Sequence, residues 1–189
     1  NNLLRAFLFF ILLVLISACN NNVEDTSKLW EKSQASGDIL TRSGTLLSDG
    51  GSAADSQHIA AEFVSKLKTD RVPLPAIALT TDTSALTAIG NDFGFKYIFS
   101  RQLEALGDRG DLCIAITTSG NSQNLIEAAK LSKKRGINFH AFSGNNGGKL
   151  KRYSKNLILI PSKTTSQIQV IEIFLGQILC DYLETFASK

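Results

Sequence analysis

One stretch of this sequence joins an apolar segment to an amphipathic one through a turn of small polar residues, and it constrains the fold most. The apolar run from Leu112 to Ile116 predicts a buried strand, and the spacing of apolar residues from Gln123 to Arg135 predicts a helix. The turn between them carries four hydroxyl groups, on Thr117, Thr118, Ser119 and Ser122. A strand that leads directly into a helix is the repeating unit of α/β folds.

The same turn is a candidate anion site. A helix that begins at Gln123 presents free backbone N–H groups and a partial positive charge to a group seated on the turn. Hydroxyls around such a helix start suit a phosphate. The turn has no lysine and therefore lacks the nucleotide P-loop pattern, which favours a phosphorylated small molecule. An ordinary capped turn, where Ser and Asn are common, is the alternative on the residues alone.

Strand and helix patterns alternate from Thr45 onward. We predict strands at 45–47, 76–79, 112–116, 138–142 and 157–160. We predict helices at 53–68, 95–106, 123–135 and 166–185, and a loop with a short helix at 82–89. Apolar strands separated by helices indicate a parallel sheet covered on both faces, an α/β/α fold of three layers. Ligands bind at the carboxyl ends of such strands, where the turns at Gly50, Thr81 and Ser119 fall.

Composition excludes some classes of function. The 189 residues carry a net charge of +3 and no basic run interleaved with aromatics, so nucleic acid is not an expected partner. The three cysteines are widely spaced and form no CxxC pair. Cys113 and Cys180 lie in apolar segments and are predicted to be reduced core residues. His140, inside an apolar strand, is predicted to be a core histidine with a hydrogen-bond partner.

The first 43 residues differ in character from the rest. Residues 3–18 are apolar apart from Arg5, and this run suits a signal-peptide core better than a membrane span. The ISAC sequence at 16–19 resembles a bacterial lipobox and predicts lipidation of Cys19; a buried helix or an upstream fusion is the alternative. Residues 20–43 are polar and predict a linker with a short helix near 28–36. We therefore divide the chain into 1–19, 20–43 and a folded domain at 44–189.

His58 and Glu62 are a second candidate site. They lie four residues apart on the first predicted helix and so share one face. A histidine and a carboxylate on one face can bind a metal ion or act as an acid–base pair. A solvated surface pair is the alternative.

Further polar residues are candidates for the same region. Gln169, Glu172 and Gln177 interrupt the apolar pattern of the last helix and fall within about a third of its circumference. Such a stripe indicates a cavity wall or a subunit interface. Asp92 follows a loop rich in Thr and Ser and is predicted to point toward the same strand ends.

Six segments, in order, resemble the sugar isomerase (SIS) domain family and, within it, the phosphoheptose isomerases. They read DGGSAADSQHIAAEF (49–63), LPAIALTTDTSALTAIGNDFGF (74–95), FSRQLEALGDRGD (99–111), TTSGNS (117–122), SGNNGGKL (143–150) and IQVIEIFLGQILCDYLE (168–184). The resemblance implies a flavodoxin-like parallel sheet and a homotetramer. It also implies a cytoplasmic aldose–ketose isomerase that converts sedoheptulose 7-phosphate to D-glycero-D-manno-heptose 7-phosphate, a lipopolysaccharide precursor. Lipid anchoring or export is the alternative if residues 1–19 act as a signal.

The resemblance also implies roles for individual residues. The substrate and its phosphate would be bound by Asp49, Ser52, Asp92, Thr117, Thr118, Ser119, Ser122 and Gln169. Zinc would be held by His58, Glu62 and Gln169. Glu62 would be the general base that moves a proton between the first two sugar carbons, with Gln177 at the second catalytic position.

Two departures from the family pattern bear on activity. Gln177 stands where the family has its second catalytic histidine, and glutamine cannot protonate a sugar oxygen near neutral pH. Asp49 stands where the family's turn has asparagine. A non-catalytic SIS module that binds a sugar phosphate or a replication-initiator partner is therefore a second hypothesis, and a degenerate or fused copy is a third. Glu172 is hypothesised to supply the missing acid or a metal ligand.

Overall fold

A computed structural model describes residues 44–154 and 156–187, with side chains as far as residue 184. The account below concerns the compact unit Arg42–Lys189. The predictions for residues 1–19 and 20–43, including the lipidation of Cys19 and the short helix near 28–36, lie outside the described residues.

Parallel strands and the helices between them form an α/β fold, as predicted. The strands are β1 (Gly44–Ser48), β2 (Ala76–Ala78), β3 (Leu112–Thr117), β4 (Asn138–Gly144) and β5 (Asn156–Ile160). The helices are α1 (Gly51–Val64), α2 (Thr83–Asp92), α3 (Ile98–Leu106), α4 (Gln123–Arg135) and α5 (Thr165–Ala187). Short 3₁₀ turns lie at Phe95–Tyr97 and Lys149–Arg152.

The sheet has the order β2-β1-β3-β4-β5, and every pairing is parallel. Leu46 on β1 lies between Ala78 on β2 and Ile114 on β3. The direction in which successive strands are added reverses between β1 and β3, which makes this the switch point where α/β sheets bind ligands. The turns that follow β1 and β3 therefore flank the expected site.

Two apolar cores cover the two faces of the sheet. Along β3, Cys113 and Ala115 pack into the core that includes α3 and α4, and Ile114 and Ile116 pack into the core that includes α1 and α5. This alternation is the two-residue period of a strand. Each fully buried aliphatic side chain stabilises the fold by roughly 1.5–3 kcal/mol. Cys113 and Cys180 are both buried and unpaired, as predicted.

Helices α1 and α5 lie side by side and run in the same direction. The amide of Gln169 lies against Gly51 at the start of α1, and Gly176 lies against Ile59 two turns further on. A Cβ atom at Gly176 would overlap Ile59, so the glycine permits this close approach. The polar stripe of α5 therefore faces α1.

Helix α1 ends earlier than the sequence predicts. It stops at Val64 rather than at residue 68, because the backbone N–H groups of residues 67–69 bind a carboxylate from α5. Glu184 accepts hydrogen bonds from the N–H groups of Leu67 and Lys68, each at 2.8 Å, and from that of Thr69. Groups bonded in this way cannot continue the helical ladder.

The boundaries of α2 and α3 also differ from the prediction. Helix α2 extends to Asp92, three residues beyond the predicted end, and starts with an Asp82 cap that accepts from the Ala85 N–H at 2.9 Å. The predicted helix at 95–106 is a 3₁₀ turn at Phe95–Tyr97 followed by α3.

His140 has a hydrogen-bond partner, as predicted, but it is half-buried and belongs to neither apolar core. It lies opposite Asn156 on β5, and its Nε2 is 3.2 Å from the Asn156 amide nitrogen. Burial lowers the pKa of its ring.

In the part of the chain that the structure describes, no helix combines the length and apolarity needed to cross a bilayer.

Candidate functional site

The turn between β3 and α4 brings its four predicted hydroxyl residues together. Thr117 Oγ1 accepts from the Gly120 N–H at 3.3 Å, and Ser119 Oγ accepts from the Asn121 N–H at 3.1 Å. Among the described residues, no side chain caps the start of α4 at Ser122. The N–H groups of Gln123 and Asn124 are therefore available to an anion, whereas that of Leu125 donates to Asn124 Oδ1.

The loop between β4 and β5 packs against this turn and is hydrogen-bonded to it. The Leu150 N–H donates to the Gly120 carbonyl at 2.9 Å, and the Lys149 N–H donates to Asn121 Oδ1 at 3.1 Å. The two backbones pack so closely that a Cβ atom at Gly120 would overlap the Gly147 carbonyl. Gly120 also has a positive φ of 64°, which side chains disfavour. The shape of the anion turn thus depends on this glycine.

Asp49, directly after β1, is tied to the first turn of α4. Its Oδ1 accepts from Asn124 Nδ2 at 2.7 Å. Asn124 is buried, and its own Oδ1 accepts from the Leu125 N–H at 2.8 Å. Sequence reasoning missed Asn124, although a polar residue at an inward position of an amphipathic helix was the available signal.

Ser52, in the first turn of α1, forms a buried pair with Glu172 on α5. The Ser52 hydroxyl donates to Glu172 Oε2 at 3.0 Å, and the two residues are 2% and 0% exposed. No hydrogen bond of ordinary geometry reaches Glu172 Oε1 from the described residues. Burial raises the pKa of Glu172 to about 7 and the charge of Asp55 adds to this, against the Ser52 hydrogen bond and the Thr117 backbone N–H. Glu172 thus changes its charge near neutral pH.

The predicted pair on α1 is formed, and Gln177 joins it. His58 Nε2 lies 3.1 Å from Glu62 Oε1 and 3.3 Å from Gln177 Nε2. The Glu62 side chain is 18% exposed and that of His58 is 56% exposed. The carboxylate is therefore sheltered but reachable from solvent, as a base that acts on a bound substrate must be.

The donor atoms of this cluster suit a zinc ion with two strong ligands. Imidazole nitrogen and carboxylate oxygen are ordinary zinc ligands, and His58 and Glu62 present one of each. Among the described residues, no group of three or more His, Cys, Asp or Glu side chains could hold a metal ion. Further ligands would come from the amide oxygens of Gln177 and Gln169, which are weaker donors. Gln169 lies against Gly51, and no described contact joins it to His58 or Glu62.

No hydrogen bond or ion pair among the described residues joins Asp92 to the other predicted site residues. It is the last residue of α2, is exposed, and its Oδ1 accepts from Asn91 Nδ2 at 2.8 Å. Its role in substrate binding stays a prediction.

Comparison with known proteins assigns the family. The model of the SIS domain matches residues 11–144. The chain belongs to the SIS domain family. The matched region begins upstream of residue 44, where the sequence analysis starts the domain.

Curated relatives at about 50% identity are phosphoheptose isomerases. A phosphoheptose isomerase of Aquifex aeolicus is 54% identical over 144 residues, which are 76% of this chain and 75% of the relative. That of Sulfurimonas denitrificans is 48% identical over 164 residues, 87% and 82% of the two chains. The solved phosphoheptose isomerase of Neisseria gonorrhoeae matches with a TM-score of 0.73 and 38% identity, covering 98% of this chain and 100% of its own. That of Francisella tularensis has the same TM-score at 29% identity, covering 96% and 97%.

Proposed function

We propose that this SIS-domain chain is a phosphoheptose isomerase that converts sedoheptulose 7-phosphate to D-glycero-D-manno-heptose 7-phosphate. The observation that carries the proposal is the sheltered Glu62 carboxylate, 3.1 Å from His58, on the helix that starts beside the hydroxyl-rich turn. Identity of 54% to a phosphoheptose isomerase supports the same reaction class.

The spacing along α1 favours a long substrate. Ser52 lies next to the anion turn at the start of α1, and Glu62 lies ten residues further on, about 15 Å along the helix axis at 1.5 Å per residue. An open seven-carbon chain with a terminal phosphate extends on the order of 10 Å, given bonds near 1.5 Å. The side chains of Ser52 and Glu62, extended toward the substrate, can span the rest of this distance. A three-carbon sugar phosphate on the same turn would leave its carbonyl far from Glu62.

The reaction needs one base that works in both directions. Glu62 removes a proton from carbon 1 of the ketose, and the electron pair forms an enediol with carbon 2. Return of the proton to carbon 2, with transfer of the oxygen-bound proton from O1 to O2, gives the aldose. His58 holds the Glu62 carboxylate in place, and the hydroxyls of the turn after β3 with the N–H groups of α4 hold the phosphate.

We further propose zinc as the cofactor, held by His58 and Glu62 with amide oxygens from Gln169 and Gln177. A bound zinc ion would stabilise the negative charge that develops on the two sugar oxygens.

The resemblance supports three further proposals: a homotetramer, a cytoplasmic location and a role in lipopolysaccharide precursor synthesis. Apolar side chains exposed on α5 support self-association, since Val170, Phe174 and Tyr182 are 67%, 39% and 60% exposed. Analytical ultracentrifugation of the full chain tests the tetramer, and cell fractionation tests the location. Loss of heptose from lipopolysaccharide on deletion of the gene tests the pathway.

Turnover of sedoheptulose 7-phosphate, with and without added zinc, tests the proposed reaction. We expect Glu62→Gln to lower kcat by about 10²- to 10⁴-fold while sugar-phosphate binding is retained, as for removal of a general base. Glu104→Gln is the matched control, because Glu104 is an exposed α3 residue that pairs with Arg135. Wild-type activity in Glu62→Gln would overturn the assignment of the base.

The same assay decides the second hypothesis, a non-catalytic binding module. Gln177, in the place where the family has a catalytic histidine, is the observation that favours it. Thermal stabilisation by the sugar phosphate without any turnover of the wild type would establish binding alone.

A further inference from the structure

Glu172 is a buried carboxyl group on α5 that is hydrogen-bonded to Ser52, in the first turn of α1. It is 0% exposed, and Ser52 Oγ lies 3.0 Å from its Oε2. Its second oxygen, Oε1, has no partner among the described residues. A buried carboxyl group with an oxygen atom that lacks a hydrogen-bond partner lowers the stability of the fold. Stability therefore does not explain why Glu172 occupies this position.

The protonation state of Glu172 decides what the Ser52 hydroxyl can do. A hydroxyl has one hydrogen and two lone pairs. An ionised Glu172 only accepts, so it takes the Ser52 hydrogen and leaves Ser52 able only to accept from a ligand. A protonated Glu172 can donate to Ser52 Oγ, which frees the Ser52 hydrogen for an oxygen atom of the ligand.

We propose that Glu172 is a positioning residue of the sugar-phosphate site, which sets through its hydrogen bond whether the Ser52 hydroxyl donates to the ligand or accepts from it. The inference rests on the proposed function, because it takes Ser52 to face the sugar phosphate. Sugar phosphates are rich in oxygen acceptors, so the donating state binds them more tightly.

The surroundings of Glu172 allow this change near neutral pH. From α1, Asp55 opposes ionisation by its charge, and Ser52 stabilises the ionised form by its hydrogen bond. From β3, the backbone N–H of Thr117 also stabilises the ionised form. Burial outweighs both stabilising contacts and raises the pKa of Glu172 to about 7.

Calorimetric titration with sedoheptulose 7-phosphate at pH 6 and pH 8 tests the inference. The phosphate itself titrates near pH 6, so each variant is compared with the wild type at the same pH. Glu172→Gln offers an amide donor to Ser52 at every pH. We expect it to bind like the wild type at pH 6 and about fivefold more tightly at pH 8, the gain from one net hydrogen bond.

Two controls isolate the contact. Glu104→Gln removes a distant carboxylate and should follow the wild type at both pH values. In a Ser52→Ala background, Glu172→Gln should change affinity at neither pH. Should Glu172→Gln fail to fold, Ser52→Ala alone decides the question, since it should lose more affinity at pH 6 than at pH 8.

The inference would be overturned if the Kd of Glu172→Gln relative to that of the wild type were the same at pH 6 and pH 8. It would also be overturned if Glu172→Gln still changed the affinity in the Ser52→Ala background. Turnover measured in parallel separates it from the proposed function. If the wild type turns over the substrate but the affinities of Glu172→Gln and the wild type show no pH-dependent difference, only the role of Glu172 is rejected. The pH-dependent difference without turnover rejects only the isomerase, and no binding by the wild type at either pH rejects both.

Discussion

The ring nitrogen Nε2 of His58 lies 3.3 Å from the side-chain amide nitrogen of Gln177. The same ring nitrogen lies 3.1 Å from Glu62 Oε1. A neutral imidazole nitrogen either donates or accepts, so it cannot donate to the carboxylate and accept from the amide at once. The glutamine therefore competes with Glu62 for His58 without adding a titratable group.

Replacement of Gln177 by histidine should relieve this competition. A second imidazole beside His58 offers a strong zinc ligand or a proton donor, whereas the amide offers neither. We expect Gln177→His to raise zinc affinity by at least about tenfold and kcat by about 10²-fold, the scale of an added acid–base group. Competition with a chromophoric chelator measures the first, and the isomerase assay measures the second.

Gln167→His is the control for that substitution, because Gln167 is exposed at the start of α5 and bonds to Ser162. It adds an imidazole to the same helix away from His58. Equal gains in zinc affinity and kcat in the two variants would show that any histidine added to α5 has this effect, whether or not it lies beside His58.

Asp49→Asn should strengthen phosphate binding. The asparagine oxygen can still accept from Asn124 Nδ2, so the 2.7 Å contact with α4 is kept. The change removes a negative charge beside the turn that we propose binds a dianion, and a screened charge of this kind is worth on the order of 1 kcal/mol, or about fivefold in Kd. Titration with inorganic phosphate measures this gain, which should shrink at high salt. Weaker binding at low salt would show that Asp49 assists the ligand.

Local signals explain why parts of the fold could be predicted. Helix α4 has the predicted bounds because neighbouring residues signal both its start and its end. Small polar residues precede it, and Gly136 ends it in the left-handed conformation at φ 74°. The pair of His58 and Glu62 follows from a spacing of four residues. The parallel pairing of the strands follows from the alternation of apolar strands with helices.

Distant partners explain what could not be predicted. Helix α1 ends at Val64 because Glu184, more than a hundred residues later, accepts from the backbone that follows it. The contact between Ser52 and Glu172 spans 120 residues. No local pattern states which side chains meet when α1 and α5 pack in parallel.

Glu184→Gln should lower stability at neutral pH and have less effect in acid. Hydrogen bonds from the Thr69, Leu67 and Lys68 backbone N–H groups lower the pKa of Glu184 to about 2. A carboxyl whose pKa is lower in the folded state stabilises the fold above its unfolded pKa, and this contribution is lost as pH falls toward 2. The wild type should therefore lose its advantage in melting temperature over Glu184→Gln between about pH 5 and pH 2. A constant difference across that range would contradict the assignment.

Gly120→Ala tests the turn between β3 and α4. Gly120 has a φ of 64°, and an added Cβ atom would overlap the Gly147 carbonyl, a backbone atom that cannot move aside like a flexible side chain. We expect a loss of about 2 kcal/mol or more in the free energy of unfolding, measured by urea denaturation, together with loss of phosphate binding. Gly90→Ala is the matched control, because Gly90 lies inside α2 and its added Cβ atom would meet only Ile98 Cγ2 at 3.9 Å. It should stabilise the protein by about 0.5–1 kcal/mol and leave phosphate binding unchanged. Similar changes in the free energy of unfolding of the two variants would show that the turn tolerates a side chain as well as α2 does. The loop between β4 and β5 would then not fix the shape of the turn.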